Sequence, residues 1–456
     1  MVEFAQFLVV IMCSTMAWVV PLFFAKKYGY VNYVSPLHFV SYMAFWGIFV
    51  KTIGYVFDPT SAFMYGYVDS IFSFYVAYIY VLLFIAAICV GYVLSVNRPA
   101  SEDLYVASVS TINSLKNLKV VFPLTILLTV AVVLLLLQKK GFSELSLQTY
   151  SVETIHALQK SKITQIEGVS GFGSSFASLQ IFFVIPLLVF VLYLSKFYLR
   201  KRIQTLLPIG VLLCLVLAIV FVTSKRLQLL ELFVYSMIVY FIIGGNVNFK
   251  LVRRSLFVVA SIFCLFSLMT FLRASKGDLD FSTFEISTLF NQIVYSTYFL
   301  DINVPAIIID RSYLIDYSFG KTYLSWTYGL IPREFWPDKP AINLGPYVKQ
   351  VILGLKGTFG GINPTGPGEA FLNFGWFGIA VGLILGFLYR KAEEITLSIR
   401  CVLNSGGIWI YALVVYPFIQ GTLQSTFSGI VTAAIVKLVI CYLLFKIVIS
   451  RTSYRE

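Results

Sequence analysis

The chain has 456 residues, of which 59% are hydrophobic and only 12% charged, with a mean hydropathy of +0.87. Soluble domains carry about 25% charged residues, so a soluble globular fold is excluded, and apolar runs of about twenty residues in place of short alternating segments exclude a membrane β-barrel. The net charge of +13 does not point to nucleic acid as a partner, because Lys and Arg sit mostly beside helix ends, where they set membrane topology.

What remains is an all-α, polytopic integral membrane protein, a single membrane domain over residues 1–456 with the lipid bilayer as its surroundings. In chain order the apolar runs read as about eleven spans: 4–24, 35–57, 71–96, 120–137, 176–198, 206–222, 227–244, 255–272, 370–389, 408–424 and 428–449. Only Gly421 and Ser425 separate the last two. The N-terminal Met-Val-Glu-Phe lacks the basic segment of a signal peptide, so the first span is expected to be retained. Five of six cysteines (Cys13, Cys89, Cys214, Cys264, Cys441) fall inside apolar runs and Cys401 stands in a connection. That usage shows neither a disulfide framework nor metal-ligand spacing.

Basic residues orient the chain. Lys26, Lys27, Arg98, Lys116, Lys119, Lys196, Arg200, Lys201, Arg202, Lys250, Arg253, Arg254, Arg390, Lys391, Arg400, Arg451 and Arg455 all fall on one side, which the positive-inside preference makes cytoplasmic. The N-terminus is then outside and the C-terminus inside. Short outer loops keep only Lys225 and Arg226. Two long outer loops remain, 138–175 and 273–368. The second is longer than an ordinary connection and is therefore expected to be functional. Within it, Ile286, Leu289, Phe290, Ile293 and Val294, and later Leu344, Tyr347, Val348, Val351, Ile352 and Leu355, recur at helical spacing. These amphipathic helices are too short to span and are expected to lie at the membrane surface or dip into it.

The polar stretch from Ile331 to Gly378 is the expected working surface. Arg226 opposes the charge rule: it either snorkels to headgroups or grips a phosphate with its planar guanidinium. Arg273 and Arg333 reach the same face from distant positions, an arrangement suited to a pyrophosphate. Glu369, just before an apolar helix, reads either as a carboxylate favouring the helix N-terminus or as a general base. His156 is an alternative base, whereas His38 reads as a packed residue. Asp278-Leu-Asp280 lacks the companions a metal site needs. The aromatic cluster around Tyr328 and Trp336 suits an interfacial belt or stacking platforms for sugars. No phosphate-cradling loop, nucleophile elbow or zinc motif is present, so energy for any chemistry would arrive in the substrate, with no cofactor.

Ile331-Pro-Arg333-x-x-Trp336-Pro-x-Lys339-Pro340, followed by Pro-Thr-Gly-Pro-Gly-Glu369-Ala-x-x-Asn373-Phe-Gly375, resembles Wzy-type polymerases, the oligosaccharide repeat-unit polymerases of O-antigen and capsule-like chains. Ser224-Lys-Arg226 resembles the family's arginine-bearing turn. The likeness covers the second half of the chain; the first half matches in hydropathy alone. It implies a metal-independent glycosyltransferase of GT-C-like helical fold in the bacterial cytoplasmic membrane. Its substrates would be polyprenyl-pyrophosphate-linked oligosaccharides, and a chain-length regulator protein would be a partner. Arg226, Arg273 and Arg333 would neutralise the leaving pyrophosphate, Glu369 would activate the acceptor hydroxyl, and Lys339 and Asn373 would help position it. Two rivals stand beside this expectation: an O-antigen ligase, whose relatives tend to place a histidine in the large outer loop where 273–368 has none, and a lipid-linked oligosaccharide flippase or other transporter. Transporter folds show internal repeats, short loops and charge at mid-membrane; here no repeat is visible and charge clusters on one face, although Lys51 and Lys437 within spans are left unexplained.

Overall fold

A computed structural model describes residues 2–57, 68, 70–96, 104–139, 180–223, 227–274, 294, 299–331, 335–336, 338–355 and 361–449. Regular structure among them is helical throughout, as the bilayer requires of an open chain whose backbone groups have no water to bond. The order is α1 (Val2–Tyr28), α2 (Pro36–Ala44), a π-helical passage into α3 (Lys51–Phe57), α4 (Ile71–Leu94), α5 (Leu104–Asn113) and α6 (Leu118–Lys139). Then come α7 (Val184–Arg200), α8 (Leu206–Thr223), α9 (Leu227–Ile242), α10 (Phe249–Ala274) and α11 (Asn303–Asp310). The C-terminal part holds α12 (Gly366–Phe374), α13 (Ile379–Thr396), α14 (Ile399–Ser405), α15 (Gly407–Ile410), α16 (Tyr416–Gln424) and α17 (Phe427–Val448). Seven stretches among the described residues are long and apolar enough to cross a membrane, and an eighth arises if α14 and the α15–α16 helix, bent by 96° at Gly406, are one broken span. The protein is a polytopic helical membrane protein.

The helix α5 lies in a connection that hydropathy alone leaves blank. Its buried Leu104, Ala107, Ser108, Thr111 and Ile112 recur at helical spacing while Tyr105 and Val106 face outward. The segment is an amphipathic cover, too short and too polar to register as a span.

The most extensive seam joins α4 to α13. It is made by glycine. A Cβ added at Gly386 would lie 2.0 Å from Ile88 O, at Gly382 2.6 Å from Phe84 O, and at Gly91 2.0 Å from Leu383 O. Lipid supplies no hydrophobic drive between helices, so close backbone approach through small residues takes over. At one end of this seam Arg390, only 1% exposed, donates to Tyr28 O (2.9 Å), Tyr92 Oη (3.1 Å) and Glu394 Oε1 (2.8 Å). It ties α1, α4 and α13 together, so this arginine is part of the packing as well as of the charge pattern.

Within 273–368 the chain is not all surface. The helix α11 is buried from Asn303 to Ile309 and packs on α4 and α12. Gly47 lets it in, since a Cβ there would lie 2.1 Å from Leu300 O. Three tethers hold it: Lys51 Nζ lies 2.6 Å from Asp301 Oδ1 with both side chains buried, Tyr55 Oη donates to Asn303 Oδ1, and Ser70 N donates to Asp310 Oδ1 at 3.2 Å. The Lys51 contact is a close ion pair whose angles fall outside hydrogen-bond geometry. It gives the lysine inside the second span its counter-charge. Of the later amphipathic segment, Val348 and Ile352 are buried and Val351 faces out, with Arg311 Nη1 donating to Ile352 O at 2.8 Å. The earlier segment, apart from Val294, lies outside the described residues, as does most of 138–175.

One substitution in the seam and one outside it make the test. Gly386→Ala should lower the thermal midpoint of the purified protein, although alanine is favoured in a helix by about 1 kcal/mol. Gly210→Ala in α8, where a Cβ meets nothing within 4 Å, should raise stability by about 0.4–1 kcal/mol. For the buried pair, Lys51→Met alone should cost about 3–5 kcal/mol, and Lys51→Met with Asp301→Leu should recover most of it. A double mutant no more stable than the single would show that the pair contributes through more than charge balance.

Candidate functional site

The Glu369 junction begins with a constrained helix start. Pro367 in the first turn suits α12 by its fixed φ, and Gly366 sits so close to α16 that a Cβ would lie 2.4 Å from Thr422 O. The N-cap Thr365 takes φ +64°, a genuine outlier for a β-branched residue, and its hydroxyl is buried without a hydrogen-bond partner. Phe319, whose N–H donates to Asn373 O at 3.1 Å, also takes a positive φ, +44°. Such backbone outliers persist only where surrounding structure over-determines them, and they cluster at functional sites.

Glu369 is 1% exposed, and both carboxylate oxygens are engaged. Oε2 accepts from Phe427 N, the first residue of α17, at 2.7 Å, and Oε1 accepts from Thr322 Oγ1 at 2.9 Å. One turn on, Asn373 Nδ2 donates to Thr322 Oγ1 (2.7 Å) and to Glu369 O (2.8 Å), while its Oδ1 accepts from Gly320 N (3.0 Å). Ser428 Oγ donates to Thr322 O from α17. The carboxylate thus serves the N-terminus of a second helix, where the dipole favours negative charge, and closes the turn 320–324 over α12. Burial, then the neighbouring Glu369 charge, hold the Tyr323 phenol well above its ordinary pKa.

Farther along the same strip of chain, Lys339 is buried and its Nζ donates to Ile331 O (2.7 Å) and Gly329 O (3.3 Å). Trp336 is exposed, edge-on to Tyr328 with ring centres 5.7 Å apart. Both fasten the loop that lies along α17, where Gly329 approaches Thr432. The structure therefore joins Glu369 to Asn373, and Lys339 to Trp336. Arg226, Arg333 and His156 lie outside the described residues, with Lys225, Asp278 and Asp280. Arg273 lies in the last turn of α10. His38 is buried, with Nδ1 2.7 Å from Ser35 Oγ.

Beside the junction, a cavity of about 260 Å³ opens between α9, α16 and α17, lined among others by Glu231, Asn363, Gln420, Gln424, Ser425 and Lys437. Gln424 and Ser425 stand just before Phe427, whose amide Glu369 holds, and Asn363 belongs to the strand of chain leading into α12. Glu369 is not itself in the wall. Glu231 Oε2 accepts from Tyr235 Oη at 3.2 Å. Among the described residues Lys437 has neither a hydrogen bond nor an ion pair, and Gln420, 3% exposed, has an unpartnered Oε1 and only a 3.5 Å bond from its Nε2 to Gln424 Oε1. Glu231, Gln420 and Gln424 escape a sequence reading that looks for function in polar loops. The signal is there: Glu231 is the one acidic residue in α9, and ionisable groups inside spans are costly and mark pathways or sites.

Comparison of the chain with protein-family models, curated proteins and solved structures found no match.

The junction makes a stability prediction independent of chemistry. In Glu369→Gln an amide NH2 must face either Thr322 or the Phe427 N–H, and the lost bond should cost about 1–3 kcal/mol. Hydrogen exchange should quicken at 320–324 and 426–430 together, whereas a change confined to one of the two segments would break the link between them.

Proposed function

We propose that the protein is a glycosyltransferase that polymerises polyprenyl-pyrophosphate-linked oligosaccharide repeat units on the outer face of a bacterial cytoplasmic membrane. The observation that carries it is the polar cavity at the α16–α17 break, beside the buried Glu369–Thr322–Asn373 junction. The motif resemblance runs through the same junction. In this reading about eleven spans of GT-C-like arrangement set the N-terminus outside and the C-terminus in the cytoplasm, and a chain-length regulator binds alongside.

The acceptor hydroxyl attacks the anomeric carbon of the donor glycan. The new C–O bond forms as the bond to pyrophosphate breaks, the electron pair leaves with the polyprenyl pyrophosphate, and the hydroxyl proton passes to Glu369. Arg226, Arg273 and Arg333 neutralise the leaving group, where transition-state charge collects. Since Glu369 is covered, the turn 320–324 must lift for the carboxylate to meet the acceptor. Activation by a positioned base contributes roughly 10²–10⁴-fold, which sets the loss expected on removing it.

A transporter of lipid-linked oligosaccharide is the second reading. Broken helices and mid-membrane charge favour it, here the 96° bend at Gly406 and the Lys437 and Glu231 side chains in the cavity. Proteoliposomes containing synthetic polyprenyl-pyrophosphate repeat units separate the two. The polymerase reading expects a ladder of products without nucleotide or metal, lowered at least about 10²-fold in Glu369→Gln that remains folded and inserted. Movement of intact single units across the bilayer with no ladder would establish the transporter instead.

A further inference from the structure

We infer that the cavity between α9, α16 and α17 is a subsite for one sugar ring of the glycan, and that the pyrophosphate is held elsewhere. The inference rests on the glycan-polymerase reading only in taking a carbohydrate as the ligand; the rest follows from the lining. Its charged groups are one carboxylate, Glu231, and one ammonium, Lys437. Their formal charges cancel. A pyrophosphate placed here would set several negative charges against a single cation with Glu231 beside it, in a pocket walled partly by Val414, Phe418 and Ile430, where charge repulsion is screened far less than in water.

A sugar ring meets the opposite circumstances. Its hydroxyls both donate and accept. They can donate to Glu231 and accept from Lys437, whose ammonium has no partner among the described residues. They also suit the amides of Gln420, Gln424 and Asn363, each of which carries both functions. Gln420 is poorly held, with its oxygen unpartnered and its nitrogen in a bond at the 3.5 Å limit, so its reorientation toward a ligand sacrifices little. The apolar wall takes the C–H face of the ring. Lys437 lies near the middle of α17, but helical side chains lean toward the helix N-terminus, which carries its ammonium toward Gln424 and Ser425.

Size limits the occupant. Pockets for drug-sized ligands run from about 300 to 1,000 Å³. The cavity, at about 260 Å³, suits one ring and a water or two at about 30 Å³ each, not a whole repeat unit. It would therefore read the identity of the single sugar nearest the reacting bond, and the remaining sugars would extend along the outer surface.

The test uses the full-length protein in lipid nanodiscs, free of sugar-headed detergent. Methyl glycosides of glucose, galactose, mannose and N-acetylglucosamine, and separately inorganic pyrophosphate, are followed by saturation-transfer NMR and competition. At least one glycoside should bind at millimolar concentration, weaken tenfold or more in Gln420→Leu and in the cavity-filling Ala434→Phe, and be undisturbed by pyrophosphate. Each variant must retain the wild-type thermal midpoint to within a few degrees; if one does not, the other and Lys437→Met carry the comparison. Pyrophosphate that displaces the glycoside and loses its own binding in Lys437→Met would overturn the proposal, as would no glycoside binding at all. Glycoside binding without a product ladder would keep the subsite and remove the polymerase. A ladder unchanged in rate by Ala434→Phe would do the reverse.

Discussion

The carboxylate of Glu369 holds three separate pieces of chain with two oxygen atoms. One oxygen finishes the start of α17, the other receives Thr322, and the helix that carries it is pressed against α16 through Gly366. Buried so completely, the group tolerates no loose end, because an unpaired carboxylate in an apolar interior is far more costly than a lost surface bond. Asn373 completes the arrangement by fixing Thr322 from the other side. The cavity wall at Gln424 and Ser425 is therefore positioned from behind by the same junction. Whatever occupies that cavity is coupled to the turn 320–324 through one side chain.

The bilayer explains why the protein spends polar groups so sparingly and pairs them so carefully. Along the apolar length of the α4–α13 seam, glycine brings backbones into contact. Where charge enters the bundle it is met at close range, as by Asp301 for Lys51 or by Glu393 and Glu394 around Arg390. Lys437 departs from this economy. It is a cation in mid-span without a partner among the described residues, and it faces a cavity also lined by a carboxylate and amides.

Hydropathy made the polytopic helical class and the helix break near Ser425 legible, whereas the about eleven spans read from apolar runs compare with seven, or eight counting the bent pair, among the described residues. That Asn373 bonds Glu369 O was not foreseen, though their spacing allows it. Residues four apart on a helix are neighbours by geometry alone. Thr322 was not legible as their partner, since its approach depends on how a loop 47 residues upstream folds back. The helix α11 was hidden for a similar reason. Asn303-Val-Pro-Ala-Ile-Ile-Ile reads as a short apolar piece of a polar loop until Asp301 is seen against Lys51. Glu231 and Lys437 lie in spans read for their apolar character, where the isolated charge was the more informative residue.

The pairing of Lys51 with Asp301 has a consequence for how the protein is made. The two partners are separated by 250 residues of chain, so the helix carrying Lys51 enters the membrane long before Asp301 has been synthesised. A lysine inside a span disfavours its insertion, here near the span's end at Tyr55, and the surrounding apolar residues of α2 and α3 must carry that deficit unaided. Until α11 arrives, the N-terminal bundle holds an open slot beside Gly47 with a bare cation in its wall. Final assembly is thus a docking event between the first third of the chain and the last, and a nascent chain released before Asp301 would leave that slot unfilled for quality-control proteases to find.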